Sequence, residues 1–140
     1  MSEPRYAYDV YAPDCPTRLV LGRLADKWAL LILDRLQAGP MRFSVLKREI
    51  QRITQKVLTQ TLRKLERDGL VSRTVFADNV PVAVEYALTP LGDTLTASIA
   101  PFTHWAEHHM DAVLAAQAAF DAASQAVHEH ATGSTVHKLK

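Results

Sequence analysis

Between residues 54 and 88 the spacing of the apolar side chains changes from three-and-four to two, and one glycine marks the change. Val57, Leu58, Thr61, Leu62 and Leu65 recur at helical spacing, with Thr54 placed as an N-cap and Gly69 where a helix stops. Residues 70–76 and 82–88 then read as β-prone runs, alternating through Val71, Arg73 and Val75 and through Val82, Val84 and Tyr86, with a turn at 77–81. Thr89-Pro90 returns the chain to helix, threonine as cap and proline at the first helical position. This order predicts a mainly α fold with a small two-stranded β-hairpin.

The upstream elements fit the same plan. Residues 1–14 read as a flexible arm that Tyr6, Tyr8 and Tyr11 could pin to a neighbouring surface. Pro16 opens a short helix over 17–24 with Leu19, Val20, Leu21 and Leu24 apolar, and Asp26 caps a second over 27–37. Trp28, Leu31, Ile32 and Leu36 are its expected core residues, and Gly39-Pro40 ends it. A third helix over 44–50 points Val45, Leu46 and Ile50 inward, and Arg52 and Ile53 make the turn into the fourth. After the hairpin, Leu91, Leu95, Ile99, Phe102, Trp105, Met110 and Val113 mark one side of a helix that Pro101 is placed to kink. Residues 112–130 are alanine-rich and expected to be partly helical, and 131–140 disordered. The expected organisation is an arm (1–14), a domain of helices and a hairpin (15–92), a further helix or helices (93–130) and a tail (131–140).

The formal net charge of +1 hides an uneven distribution. Residues 42–73 hold nine lysines and arginines against Glu49, Glu66 and Asp68, a balance of +6 that leaves −5 for the rest. From 74 to 137 there is no lysine or arginine, but there are seven acidic residues. One part of the molecule is therefore attracted to a polyanion and another repelled. The first 14 residues lack the apolar core of a signal peptide, and no run approaches the ~20 apolar residues of a membrane span. The expectation is a cytoplasmic protein with no membrane contact.

Two short helices joined by a tight turn, the second polar and basic outside, are what reading a major groove requires. Gln55, Thr59, Gln60 and Arg63 are the candidates for base edges, since Gln pairs with adenine and Arg with guanine in a bidentate way. Arg42, Arg48, Arg52 and Lys56 are candidates for phosphates, joined by the amide groups that follow Thr54. The competing account is a solvated surface on which Arg63 and Lys64 pair with Glu66 or Asp68. His104 and His108 are four apart beside Glu107 and His109, but the H-E-x-x-H pattern fails at Trp105, and no metal or cofactor is expected. No phosphate loop, nucleophile elbow or acid pair suggests an enzyme.

The segment 15–92 resembles the HxlR-type family of bacterial winged helix-turn-helix regulators. It does so through Cys15-Pro16 with Leu21, Gly22 and Arg23, K-W-A-L-L-I-L at 27–33 and G-P-M-R-F-S-V-L at 39–46. I-T-Q-K-V-L-T-Q-T-L-R-K-L-E-R-D-G-L-V at 53–71 and V-E-Y-A-L-T-P-L-G at 84–92 complete it. The resemblance covers over half the chain and implies a winged helix-turn-helix fold dimerised by its terminal helices. It places the recognition helix at 54–68 and implies a homodimer on double-stranded DNA with an inverted repeat. Members often answer stress, aldehydes, quinones or redox change. The hairpin here departs from the usual basic wing: it offers Asn79 beside Asp78, and Arg73 at its base.

Leu19, Leu91, Leu95, Ile99, Phe102 and Trp105 are the expected dimer residues. Cys15, the single cysteine, lies just before a helix whose amide groups favour a thiolate, with Arg18 nearby, and it is the resembled family's sensor position. The combined expectation is a sequence-specific transcriptional regulator, read as a repressor, that responds to oxidants or electrophiles through Cys15. Two alternatives remain open on these residues: a winged-helix protein-interaction module, and a regulator with an inert cysteine whose small-molecule effector binds an aromatic pocket at the dimer interface.

Overall fold

The computed structural model describes residues 8–138, with side chains as far as 131. In chain order the elements are α1 (Thr17–Ala25), α2 (Lys27–Leu36), β1 (Met41–Arg42), α3 (Phe43–Glu49), α4 (Gln55–Arg67), β2 (Val71–Phe76), β3 (Ala83–Leu88) and α5 (Pro90–Lys138). Two compact units divide the chain, 1–100 and 101–140. Among the described residues no helix is long and apolar enough to cross a membrane.

The first unit is a winged helix-turn-helix. Its core takes Ala29, Ile32, Leu33 and Leu36 from α2, Leu46 from α3, Leu58, Leu62 and Leu65 from α4, and Val71 and Tyr86 from the sheet. Those helical spacings put one stripe of each helix inside, and each buried leucine or isoleucine contributes about 1.5–3 kcal/mol. Ile50 and Ile53 are both buried and anchor the turn between α3 and α4 from either side. Ile99, expected at a dimer contact, is only 3% exposed and belongs to this core, with Leu95 half-buried against it. The first compact unit runs to Ala100.

Several sequence expectations change in detail. The sheet has three antiparallel strands in the order β1-β3-β2, with Met41 and Arg73 flanking Tyr86. The hairpin is joined by Met41–Arg42, too short to show any alternation and reached through Gly39 at φ 136°. Leu31 is exposed, and Ala29 and Leu33 take the inner positions on α2 instead. Among the arm residues, Ala12 and Cys15 close successive turns onto Asp9 and Ala12. Arg18, not a tyrosine, pins that stretch: its guanidinium donates to the carbonyls of Val10 and Tyr11, while Tyr8 and Tyr11 are exposed. Tyr6 and the start of the arm lie outside the described residues. α5 runs from Pro90 to Lys138 with Pro101 inside it, past the point where a tail was expected; the side chains beyond 131 lie outside the described residues.

Candidate nucleic-acid interface

α4 is built to present one face and bury the other. The Thr54 hydroxyl accepts from the Val57 amide at 3.1 Å and so closes the helix start. Thr54 thereby acts as a cap, with its side chain committed to the helix. The buried Thr61 hydroxyl donates to the Val57 carbonyl at 2.7 Å, which lets a polar residue sit among leucines. At the far end Gly69, at φ 76°, reverses the chain, and its amide and that of Leu70 return to the carbonyls of Glu66 and Leu65. Gln55, Lys56, Thr59, Gln60, Arg63, Lys64 and Arg67 are all exposed, on successive turns of the outer face.

The ion pairs sharpen this surface. Arg23 of α1 donates to Asp68 at 2.8 Å, and Arg35 of α2 to Glu49 at 2.5 Å. Two of the three acids in 42–73 are thus neutralised by arginines from outside that segment. Among the described residues, Glu66 is the only acid of the segment without a described ion pair, in a stretch of sequence that holds nine lysines and arginines. The expected alternative pairing of Arg63 or Lys64 with Asp68 gives way to Arg23, whose part-buried contact ties α1 to the end of α4. Arg23 and Asp68 were missed as positioning residues because they are 45 residues apart.

Arg42 and Asn79 both line a groove between the start of α3 and the hairpin turn, together with Ser44, Pro81 and Tyr86. Ser44 is a further polar group there that the sequence did not single out. Arg48 is exposed late in α3, and Arg73 is exposed on β2 opposite Tyr86.

Arg52 is exposed in the turn at φ 70°, a conformation that costs a residue with a β-carbon about 1–2 kcal/mol. Arg52→Gly relieves that strain at the expense of some unfolded-state entropy. It is expected to stabilise the fold by ~0.5–1 kcal/mol while weakening DNA binding. Thermal melts and a DNA titration on one preparation check it; a variant that loses both stability and affinity would show that the arginine side chain holds the turn.

Cys15 is half-buried, with its Sγ 3.0 Å from the Thr17 Oγ1. That hydroxyl, opposed by desolvation, holds the thiol below its ordinary range. Arg18, expected to do this, is committed to the carbonyls of Val10 and Tyr11.

Of the expected dimer residues, Leu19 and Leu91 are exposed in the first unit, and α1 buries none of its side chains. In the second unit Phe102 and Trp105 are 59% and 52% exposed.

Residues 23–113 match the family model described as HxlR-like helix-turn-helix. The uncharacterized HTH-type transcriptional regulator YtfH of Escherichia coli is 40% identical over 107 residues, which cover 76% of this chain and 84% of that protein. The solved structure of the ytfH protein from Salmonella typhimurium superposes with a TM-score of 0.73 at 38% identity, covering 79% of this chain and 97% of that one. The redox regulator HypR in its oxidized form aligns with a TM-score of 0.61 at 37% identity, over 67% and 96% of the two chains.

Proposed function

The chain belongs to the HxlR-like helix-turn-helix family of DNA-binding regulators, and on that footing we propose that it is a sequence-specific repressor that binds an inverted repeat as a homodimer. The observation that carries this is the outer face of α4, where Gln55, Thr59, Gln60 and Arg63 stand exposed among cations whose neighbouring acids are taken by Arg23 and Arg35. Side chains of these types read base edges in the major groove, and Arg42, Arg48, Arg52 and Lys56 hold the phosphates. Leu19, Leu91, Phe102 and Trp105 supply apolar surface for a second copy, which sets two recognition helices about one turn of DNA apart.

Fluorescence anisotropy on the intergenic DNA upstream of the gene, against a scrambled duplex, tests it. With four phosphate contacts per protomer, affinity for the native duplex is expected to fall ~10⁴-fold between 50 and 200 mM salt. Equal affinity for both duplexes would remove the specific-regulator reading, and absence of binding at low salt would favour the protein-interaction module.

The same protein is proposed to respond to oxidants through Cys15. Two observations support this: the Thr17 hydroxyl that favours the thiolate, and the likeness to a regulator named for redox control. An oxidant such as diamide takes two electrons from two thiols, Cys15 and that of a second copy or of a small thiol, and a disulfide forms. Thr17→Val removes the hydrogen bond, so the pH midpoint of Cys15 alkylation is expected to move upward and alkylation at pH 7 to slow. A profile that does not move would assign the lowered thiol to another cause. Cys15→Ser is expected to keep DNA binding and abolish its loss on diamide treatment.

A further inference from the structure

His104 and His108 stand four residues apart on α5, in the second unit, and of the six histidines in the chain only these two have that spacing. Residues four apart on a helix share a face, with Cβ atoms about 5–6 Å apart. Here the two exposed rings lie side by side, their centroids 3.9 Å apart and their planes 36° apart. The Nδ1 of His108 is 2.9 Å from the His104 carbonyl oxygen. A carbonyl only accepts, so Nδ1 carries the proton, and in the neutral ring the lone pair is on Nε2. Metal-bound histidines are held in this way, by a hydrogen bond from the other ring nitrogen that fixes the tautomer. His109 has a different neighbour: its Nδ1 donates to the Trp105 carbonyl at 2.9 Å, and its ring stacks on the Trp105 indole at 4.8 Å rather than on a second imidazole.

Two imidazoles on one face suit a particular class of ion. Imidazole nitrogen is a ligand for late first-row divalent metals, whereas Mg²⁺ and Ca²⁺ take oxygen. Bonds of about 2.0–2.1 Å let one ion join nitrogens up to about 4 Å apart, and the ring separation of 3.9 Å is of that size. The electrostatics favour a cation as well. Residues 101–137 hold Glu107, Asp111, Asp121 and Glu129 but no lysine or arginine, and Glu107 and Asp111 follow His104 by three and seven residues on its side of the helix. Among the described residues no three His, Cys, Asp or Glu side chains are grouped to hold an ion, so these carboxylates contribute charge and solvent takes the remaining positions. The glutamate that the H-E-x-x-H pattern would need at Trp105 is a general base, and holding an ion does not require it. We propose that His104 and His108 form a two-imidazole site for a late first-row divalent ion, with Cu²⁺ held most tightly because it heads the order of intrinsic affinities. The site uses no residue of the DNA-reading face and does not rest on the regulator reading.

The test uses the full chain with Cys15→Ser, which removes the thiol both as a competing ligand and as a reductant of Cu²⁺. Calorimetric titration with Cu²⁺ alone, in a non-coordinating buffer at pH 7, is expected to show a saturable site, with Ni²⁺ and Zn²⁺ bound there more weakly. His104→Ala and His108→Ala are each expected to lower the Cu²⁺ affinity at least ~tenfold, because the remaining imidazole loses the partner that the helix holds beside it. His109→Ala and the double variant His128→Ala/His130→Ala are expected to leave it unchanged. All five positions are exposed and alanine is the strongest helix former, so the variants keep α5 intact. No saturable binding, or a loss that follows His109 or the His128 and His130 pair instead, would overturn the proposal. Electron paramagnetic resonance of the Cu²⁺ complex gives a second reading. Two nitrogen ligands are expected in the parent and one in His104→Ala and in His108→Ala, and the same nitrogen count in all three would overturn the site.

Discussion

Gly92→Ala is expected to cost the fold about 3 kcal/mol or more, a fall of roughly 10 °C in melting temperature. A β-carbon on Gly92 would lie 2.1 Å from the Leu70 carbonyl oxygen, and that oxygen is fixed because it accepts from the Thr89 amide. Backbone, not a flexible side chain, would have to move. The site is also a junction. The Thr89 hydroxyl donates to the Gly69 carbonyl at 2.5 Å and accepts from the Gly92 amide at 3.0 Å. The stop of α4, the start of β2 and the first turn of α5 meet there, so displacing α5 disturbs the end of the recognition helix as well. The same substitution at Gly22 makes the comparison. Nothing lies within 4 Å of a β-carbon in the middle of α1, and Gly22→Ala is expected to add ~0.5–1 kcal/mol of helix stability. Melts of both variants at matched concentration check the pair. A Gly92→Ala protein that melts with the parent would mean the junction relaxes freely.

Arg63→Ala is expected to weaken binding to the specific duplex at least ~30-fold and to flatten the base preference at one position in each half-site. A bidentate arginine–guanine contact is worth about 1–3 kcal/mol of discrimination, and a symmetric dimer makes it twice. Arg63 is exposed on α4, one turn beyond Thr59 and Gln60, and among the described residues it takes part in no described ion pair. Arg48→Ala is the contrast. A phosphate contact carries no sequence, so its loss is expected to weaken every duplex alike and reduce the salt slope by ~1 per half-site. Titrations on the specific duplex, single-position variants of it and a scrambled duplex separate the two. If Arg63→Ala weakened all of them equally, Arg63 would be a phosphate contact and the base readers would be Gln55, Thr59 and Gln60.

Much of α4 was legible beforehand because its signals are local. Thr54 caps three residues ahead, Gly69 stops the helix, and leucines three and four apart can only share one face. The hairpin was legible for the same reason, through a period of two. β1 was not, because two residues carry no period and their strand character comes from β3 alongside them. The surroundings of Cys15 were not legible either: Thr17 and Arg18 are both within three residues, and only the folded arm shows that Thr17 lies beside the thiol while Arg18 turns back to Val10 and Tyr11.

The dimer residues show the same boundary. Ile99, Phe102 and Trp105 look alike as a helical stripe in the sequence, yet Ile99 is in the core of its own chain while Phe102 and Trp105 are exposed. What the sequence by itself determined is the order of elements, the face of each helix that is apolar, and the concentration of positive charge between 42 and 73. What only the tertiary structure decided is which apolar residues are consumed by the chain's own core, which acids remain to oppose the cations, and why Gly92 tolerates no side chain. The physical reason is that periodicity and capping act over a few residues along the chain. Burial and ion pairing instead join groups such as Arg23 and Asp68, or Leu70 and Gly92, which only the completed fold brings within reach.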